Sequence, residues 1–243
     1  MACVSRRHAR LCRTTRVRIY KRHLESRAMW GPRLACGNCH SLSLGNDGRV
    51  VTWGNNGWHQ RRDPPRQTGY VGLACGEYHS CALDDDGHIV TWGDDEYDAL
   101  VDVPTDGGYR AVACGEHHSL ALHNDGAVVM WGDFSENQRR DWPRDAGFVG
   151  IACGSHHSLG LRSDGRVVTW GRERLDGRLR GNQPTDAGYV AVACGGFHCV
   201  ALHKDGRVVA WGHDEQRDDA PRDGRYLAIA CGFRHSVALR DDG

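Results

Sequence analysis

The chain has 243 residues and a formal net charge of zero, with 31 Lys and Arg against 31 Asp and Glu. Forty per cent hydrophobic residues can bury a substantial core, and the absence of any run of 18 apolar residues excludes a transmembrane helix. Eleven cysteines, with no apolar secretory segment ahead of them, point to free thiols in a reducing compartment and away from a disulfide framework.

The first 33 residues stand apart. They hold ten Lys or Arg against the single acid Glu25, while 34–243 carry 21 basic and 30 acidic residues. Arg6, Arg7, Arg10, Arg13, Arg16 and Arg18 suit contacts to nucleic-acid phosphate, a nuclear address or an acid-poor organelle transit peptide; a solvated tail is the plain alternative. Arg16–Tyr20 alternates, and Arg27-Ala-Met-Trp30-Gly31 is a shortened copy of a strand found later in the chain. Residues 1–33 are therefore expected to be a disordered or a ring-closing segment.

From residue 34 onward the chain repeats. Ala-Cys-Gly-x-x-His recurs with its cysteine at Cys36, Cys75, Cys114, Cys153, Cys194 and Cys231, in steps of 39, 39, 39, 41 and 37 residues. An Asp-Gly pair begins eleven residues after each Cys, and a Trp-Gly pair seventeen after, at Trp53, Trp92, Trp131, Trp170 and Trp211. Length varies only between that Trp and the next proline (Pro65, Pro104, Pro143, Pro184, Pro221), as expected of a surface loop between framework strands. A period near 40 built from short apolar runs marks a propeller or solenoid.

Within the unit, Tyr189–Cys194, His118–Leu122 and Arg166–Trp170 alternate or are β-branched and read as strands, with Asp-Gly as the hairpin between the last two. Tyr97–Val103 reads as a weaker fourth strand. The fold expected is all-β: a β-propeller of about 39-residue repeats over 34–243, with five complete units and a sixth that stops in its Asp241-Asp242-Gly243 turn, as in a fragment of a seven-bladed propeller. One Trp per unit at the same strand end is expected to pack between blades, and the Ala-Cys-Gly run suits a crowded inner strand.

Chemical motifs are weighed against this register. Cys36-Gly-Asn-Cys39-His40 has the spacing of covalent haem attachment, but the slot of Cys39 is Tyr78, His117, His156, Phe197 and Arg234 in other units, so it is a chance filling. Six Cys-x-x-x-His copies, one per unit, read as framework and not as zinc ligands. His117-His118 and His156-His157 could buffer protons, although neighbours on a strand point to opposite faces. No catalytic set of recognisable spacing is present, and no cofactor or metal is expected. Trp58 and Trp142 stand outside the repeat, among Arg61, Arg62, Arg139, Arg140 and Arg144, and aromatic and Arg side chains together are typical of protein-binding hot spots. These seven residues are the expected partner-binding surface.

Ala113-Cys-Gly-Glu-His-His-Ser-Leu-Ala-Leu122, followed by Asp125-Gly126 and Val128-Val-Met-Trp-Gly132, resembles the repeat of the regulator of chromosome condensation family. The resemblance implies a propeller of seven or so blades and a choice of roles. The first is a non-catalytic protein-interaction scaffold, alone or within a larger protein such as a ubiquitin ligase. The alternative is a chromatin-associated guanine-nucleotide exchange factor for a Ran-like small GTPase, with the basic head on nucleic acid. The tryptophans by which light-sensing members hold their chromophore fall at Asn38, Glu77, Glu116, Ser155, Gly196 and Phe233 here. The expected setting is cytoplasmic or nuclear, with organelle import as a further possibility and no membrane partner.

Overall fold

The computed structural model describes residues 33–57, 59–95, 98–172, 182–212, 220–221 and 223–242. The readings made on residues 1–32 and on Trp58 lie outside them. Among the described residues there are seventeen β-strands and no helix, grouped as five three-stranded antiparallel sheets and one two-stranded sheet. Each sheet is one blade of a β-propeller, numbered 1 to 6 in chain order, and its strands follow chain order from inner to outer. Blade 3 stands for the set: an inner strand Tyr109–Cys114, a middle strand His118–His123 and an outer strand Val128–Gly132.

Register sets two ends to every blade. Cys36 pairs with Ser41 and His40 with Gly54, so the Cys-Gly-x-x-His turn and the Trp-Gly corner share one end, here the upper, and the Asp-Gly hairpins share the lower. The hairpin glycines Gly48, Gly87, Gly126, Gly165 and Gly206 lie at φ of 76° to 91°, which side-chain-bearing residues rarely adopt. Inner strands of successive blades lie side by side. A Cβ on Gly76 would meet the Gly115 carbonyl at 2.5 Å, and one on Gly115 would meet that of Gly154 at 2.6 Å, so the inner column admits only glycine after the cysteine.

The core lies between blades. Trp131 of blade 3 packs on Cys81, Leu83 and Ile89 of blade 2, and Trp211 of blade 5 on Leu159, Leu161 and Val167 of blade 4. Trp92 and Trp170 do the same on blades 1 and 3. The expectation that all five repeat tryptophans are core fails at one: Trp53 is 44% exposed, because no described blade precedes blade 1. The expected fourth strand also fails. Described residues 98–103 form turns, with the Asp98 N–H on the Asp95 carbonyl and the Val101 N–H on the Asp98 carbonyl. Asp98 and Asp102 take φ of 54° and 58°, a conformation no strand contains.

Candidate functional site

The loops after Trp-Gly are built structures. His59, Asp98 and Asn137 have φ of 55°, 54° and 61°, and Asp63, Asp102 and Asp141 have φ of 53°, 58° and 56°, so the first three loops repeat one two-turn conformation. Asn and Asp tolerate this left-handed region because their short polar side chains bond locally. The loops of blades 1 and 3 leave the upper end of their own blade and seat on the next. The Ser80 hydroxyl donates to the Gln60 carbonyl, and the Gly171 N–H donates to the Arg140 carbonyl.

This construction sorts the expected partner-binding residues. Arg61 donates to the Gly54 carbonyl at 3.1 Å, Arg62 pairs with Asp63 at 3.4 Å, and Arg140 pairs with Asp141 at 3.7 Å. Arg139, Trp142 and Arg144 are brought together. Arg139 lies over the Phe134 ring at 3.5 Å and over Trp142 at 5.7 Å, and Arg144 covers Trp142 at 4.1 Å. Trp142 is half-buried and joins the blade 3–4 core, so it is an anchor as well as a surface ring. Arg61 and Arg62 are not part of this stack. Between them runs the loop of blade 2 with Asp94, Asp95, Asp98 and Asp102, and the Asp102 charge reaches Arg139.

A second arc lies on the upper end, in the variable slots of the Cys-Gly-x-x-His turns. Asn38 donates to Glu77 at 2.9 Å, Tyr78 stacks on His117 at 5.3 Å, and Glu116 sits between His117 at 3.3 Å and His156 at 3.5 Å. The hydrogen bond from His117 holds the Glu116 carboxyl below its ordinary range, and burial lowers His156 against the pull of Glu116. Sequence reading singled out neither Glu77 nor Glu116 as functional; the available signal was that one repeat slot is filled by successive polar residues.

Beneath this arc a His–Ser ladder joins the blades. His40 Nε2 meets Ser80 Oγ at 2.8 Å, His79 meets Ser119 at 2.7 Å, His118 meets Ser158 at 3.0 Å and His198 meets Ser236 at 2.7 Å. Burial, followed by neighbouring histidine charges, lowers His118 to about 3 and His40 and His198 to about 4. Ser80, Ser119 and Ser158 are 0% exposed, so these Ser–His pairs are structural and out of a substrate's reach. The repeat histidines of the ladder are framework, and at two junctions a pair of thiols lies beside one of the repeat histidines. There His79, Cys81 and Cys114, and His157, Cys194 and Cys199, each place their ligand atoms within 4.8 Å of one another. Cys81 and Cys199 are off the repeat register and were not singled out in the sequence.

No curated protein sequence matches the chain. Among solved structures it is similar to the ectodomain of the Physcomitrella patens receptor kinase CR4, with TM-score 0.70 and 23% identity over 86% of this chain, but it spans only 57% of that one. It is also similar to Prp20p from Saccharomyces cerevisiae, with TM-score 0.68 and 21% identity over 86% of this chain and 69% of that one. Human WBSCR16 gives 0.65 and 22%, over 85% and 71%. The profile of the regulator of chromosome condensation (RCC1) repeat matches five times, at residues 33–60, 70–98, 109–138, 148–175 and 189–216. With blades, ladder and tryptophans recurring in the same register as those matches, the chain belongs to the RCC1 repeat family.

Proposed function

We propose that the chain is a non-catalytic interaction scaffold whose blade 3 loop grips an acidic protein surface. The observation that carries this reading is the Arg139–Trp142–Arg144 stack. Two exposed guanidinium groups are held over rings that are themselves packed against the core, Arg139 also donating to the Met130 carbonyl at 3.2 Å, and neither makes an ion pair with a carboxylate among the described residues. A pre-organised guanidinium loses little entropy on meeting a carboxylate and can bind it through two parallel hydrogen bonds. Arg62 and Arg140, already paired with Asp63 and Asp141, contribute charge and little else.

The exchange-factor alternative has in its favour the likeness to Prp20p, a protein described by its binding to Gsp1p and histones. One experiment addresses both. The purified chain is titrated into a labelled polyglutamate peptide, and in parallel its effect on labelled GDP release from a Ran-like GTPase is followed. The scaffold reading expects binding that weakens with salt and is lost in an Arg139→Glu, Arg144→Glu double variant, with GDP release unchanged. Equal binding by the variant overturns the site, and accelerated GDP release overturns the scaffold.

A further inference from the structure

At the junction of blades 4 and 5 the His–Ser ladder changes chemistry. The position occupied by Ser41, Ser80, Ser119, Ser158 and Ser236 in the other units is Cys199. His157 Nε2 therefore meets Cys199 Sγ, at 3.3 Å, and Cys199 Sγ lies 3.7 Å from Cys194 Sγ, its cross-strand partner in the sheet register. His157 and Cys199 are buried, while Cys194 keeps part of its surface open.

We propose that His157, Cys194 and Cys199 form a binding site for a soft, thiophilic closed-shell cation, Zn²⁺ or Cu⁺. Metal–sulfur bonds of about 2.3 Å and metal–nitrogen bonds of about 2.0–2.1 Å at tetrahedral angles put two sulfurs about 3.8 Å apart and sulfur and nitrogen about 3.6 Å apart. The spacings in this cluster, 3.7 and 3.3 Å, lie close to those edges. On binding, both thiols pass their protons to solvent and the neutral imidazole donates its Nε2 lone pair. Three ligands complete a trigonal Cu⁺ and leave Zn²⁺ one position for a ligand from outside; thiolate softness favours both over Mg²⁺ or Ca²⁺.

The junction of blades 2 and 3 provides an internal contrast. Cys81 and Cys114 approach to 3.2 Å, but the Ser119 hydroxyl is kept, at 2.7 Å from His79 and 3.6 Å from Cys114. The hydroxyl occupies the imidazole nitrogen that a cation would need. Blade 4–5 is the site, and blade 2–3 is its hydroxyl-blocked counterpart.

The test uses the reduced full chain, titrated with Zn²⁺ against a chromophoric chelator and with Cu⁺ against bathocuproine. Cys199→Ser restores the residue found in the five other units and so leaves the ladder intact, while Cys81→Leu installs the residue present at Leu42, Leu120 and Leu159. The expected result is one equivalent of cation held about tenfold or more tighter by the wild type than by Cys199→Ser, with Cys81→Leu like the wild type. Substitution with Co²⁺ should give a thiolate charge-transfer band that Cys199→Ser lacks. Equal affinities for both ions in wild type and Cys199→Ser overturn the proposal. So does a Cys194–Cys199 disulfide that forms in air, if the re-reduced protein takes up neither ion.

Discussion

Trp53 and Trp131 hold the same place in the repeat, yet one is 44% exposed and the other 0%. Leu120 of blade 3 and Val237 of blade 6 give the same contrast, 0% against 57%. A blade in this fold has no core of its own: each supplies a Trp to the blade before it and a Leu-lined face to the blade after it. Interior blades are stable because both contacts are complete, while Trp53 of blade 1 and Val237 of blade 6 are left facing solvent.

The most direct way to break this comparison is to remove the two tryptophans. Trp131→Ala should cost about 3–5 kcal/mol, the range for a fully buried large aromatic, and Trp53→Ala less than about 1. Trp142→Ala should fall between them, since its ring is half-buried in the blade 3–4 core. Urea midpoints of the three variants measure this, and equal losses for Trp53 and Trp131 would show that burial between blades is not what the repeat tryptophan supplies.

Much of this organisation was legible in the sequence, because the repeat writes each structural demand five or six times. The glycine after each cysteine, the Asp-Gly hairpin and the buried Trp are all dictated by local geometry at a fixed register. What escaped depends on which strands face one another. Cys199 meets His157 across 42 residues, and Cys81 meets Cys114 across 33, by way of blade stacking that no local pattern encodes. Tyr97–Val103 was misread as a strand for the opposite reason: its alternation is real, but the positive φ of Asp98 and Asp102 decides the local path. Arg139 and Arg140 are adjacent in sequence and differ in fate, one stacked on rings and one paired with Asp141, because the left-handed residues at 137 and 141 turn the chain between them.

Acid offers a second and smaller probe of the interior. Burial, then the charges of His157, His79, His156 and His117, depress His118 from its ordinary 6.5 to about 3. Below pH 6.5 the unfolded chain takes up a proton that the folded chain refuses until about pH 3. The stability contributed by neutral His118 is thus complete above pH 6.5 and falls as the pH drops, by about 2 kcal/mol at pH 5. Urea midpoints between pH 7.5 and 5 should fall accordingly, and His118→Gln should flatten the slope. The exposed His235, in blade 6, is the control, and a His235→Gln variant that flattened the slope as much would assign the effect to charge in general.

The finest distinction between interior and outer blades is a single hydroxyl. Ser158 and Ser41 occupy the same slot, but Ser158 receives the His118 ring of the preceding blade, while the contact of Ser41 is to Cys36 of its own blade, at 3.6 Å. Ser158→Ala removes one partner of a buried bond and strands the His118 Nε2 in the core, away from water, at a cost of about 1–3 kcal/mol. Ser41→Ala strands nothing, since a thiol is a weak acceptor and the site is exposed, and should cost under about 0.5 kcal/mol. The His118→Gln background makes the assignment specific: if the Ser158 effect belongs to the ladder, the double variant Ser158→Ala, His118→Gln should lose less than the sum of the singles. Strict additivity would mean that Ser158 matters only for packing, and the ladder would then be a geometric accompaniment of blade stacking and no part of its energy.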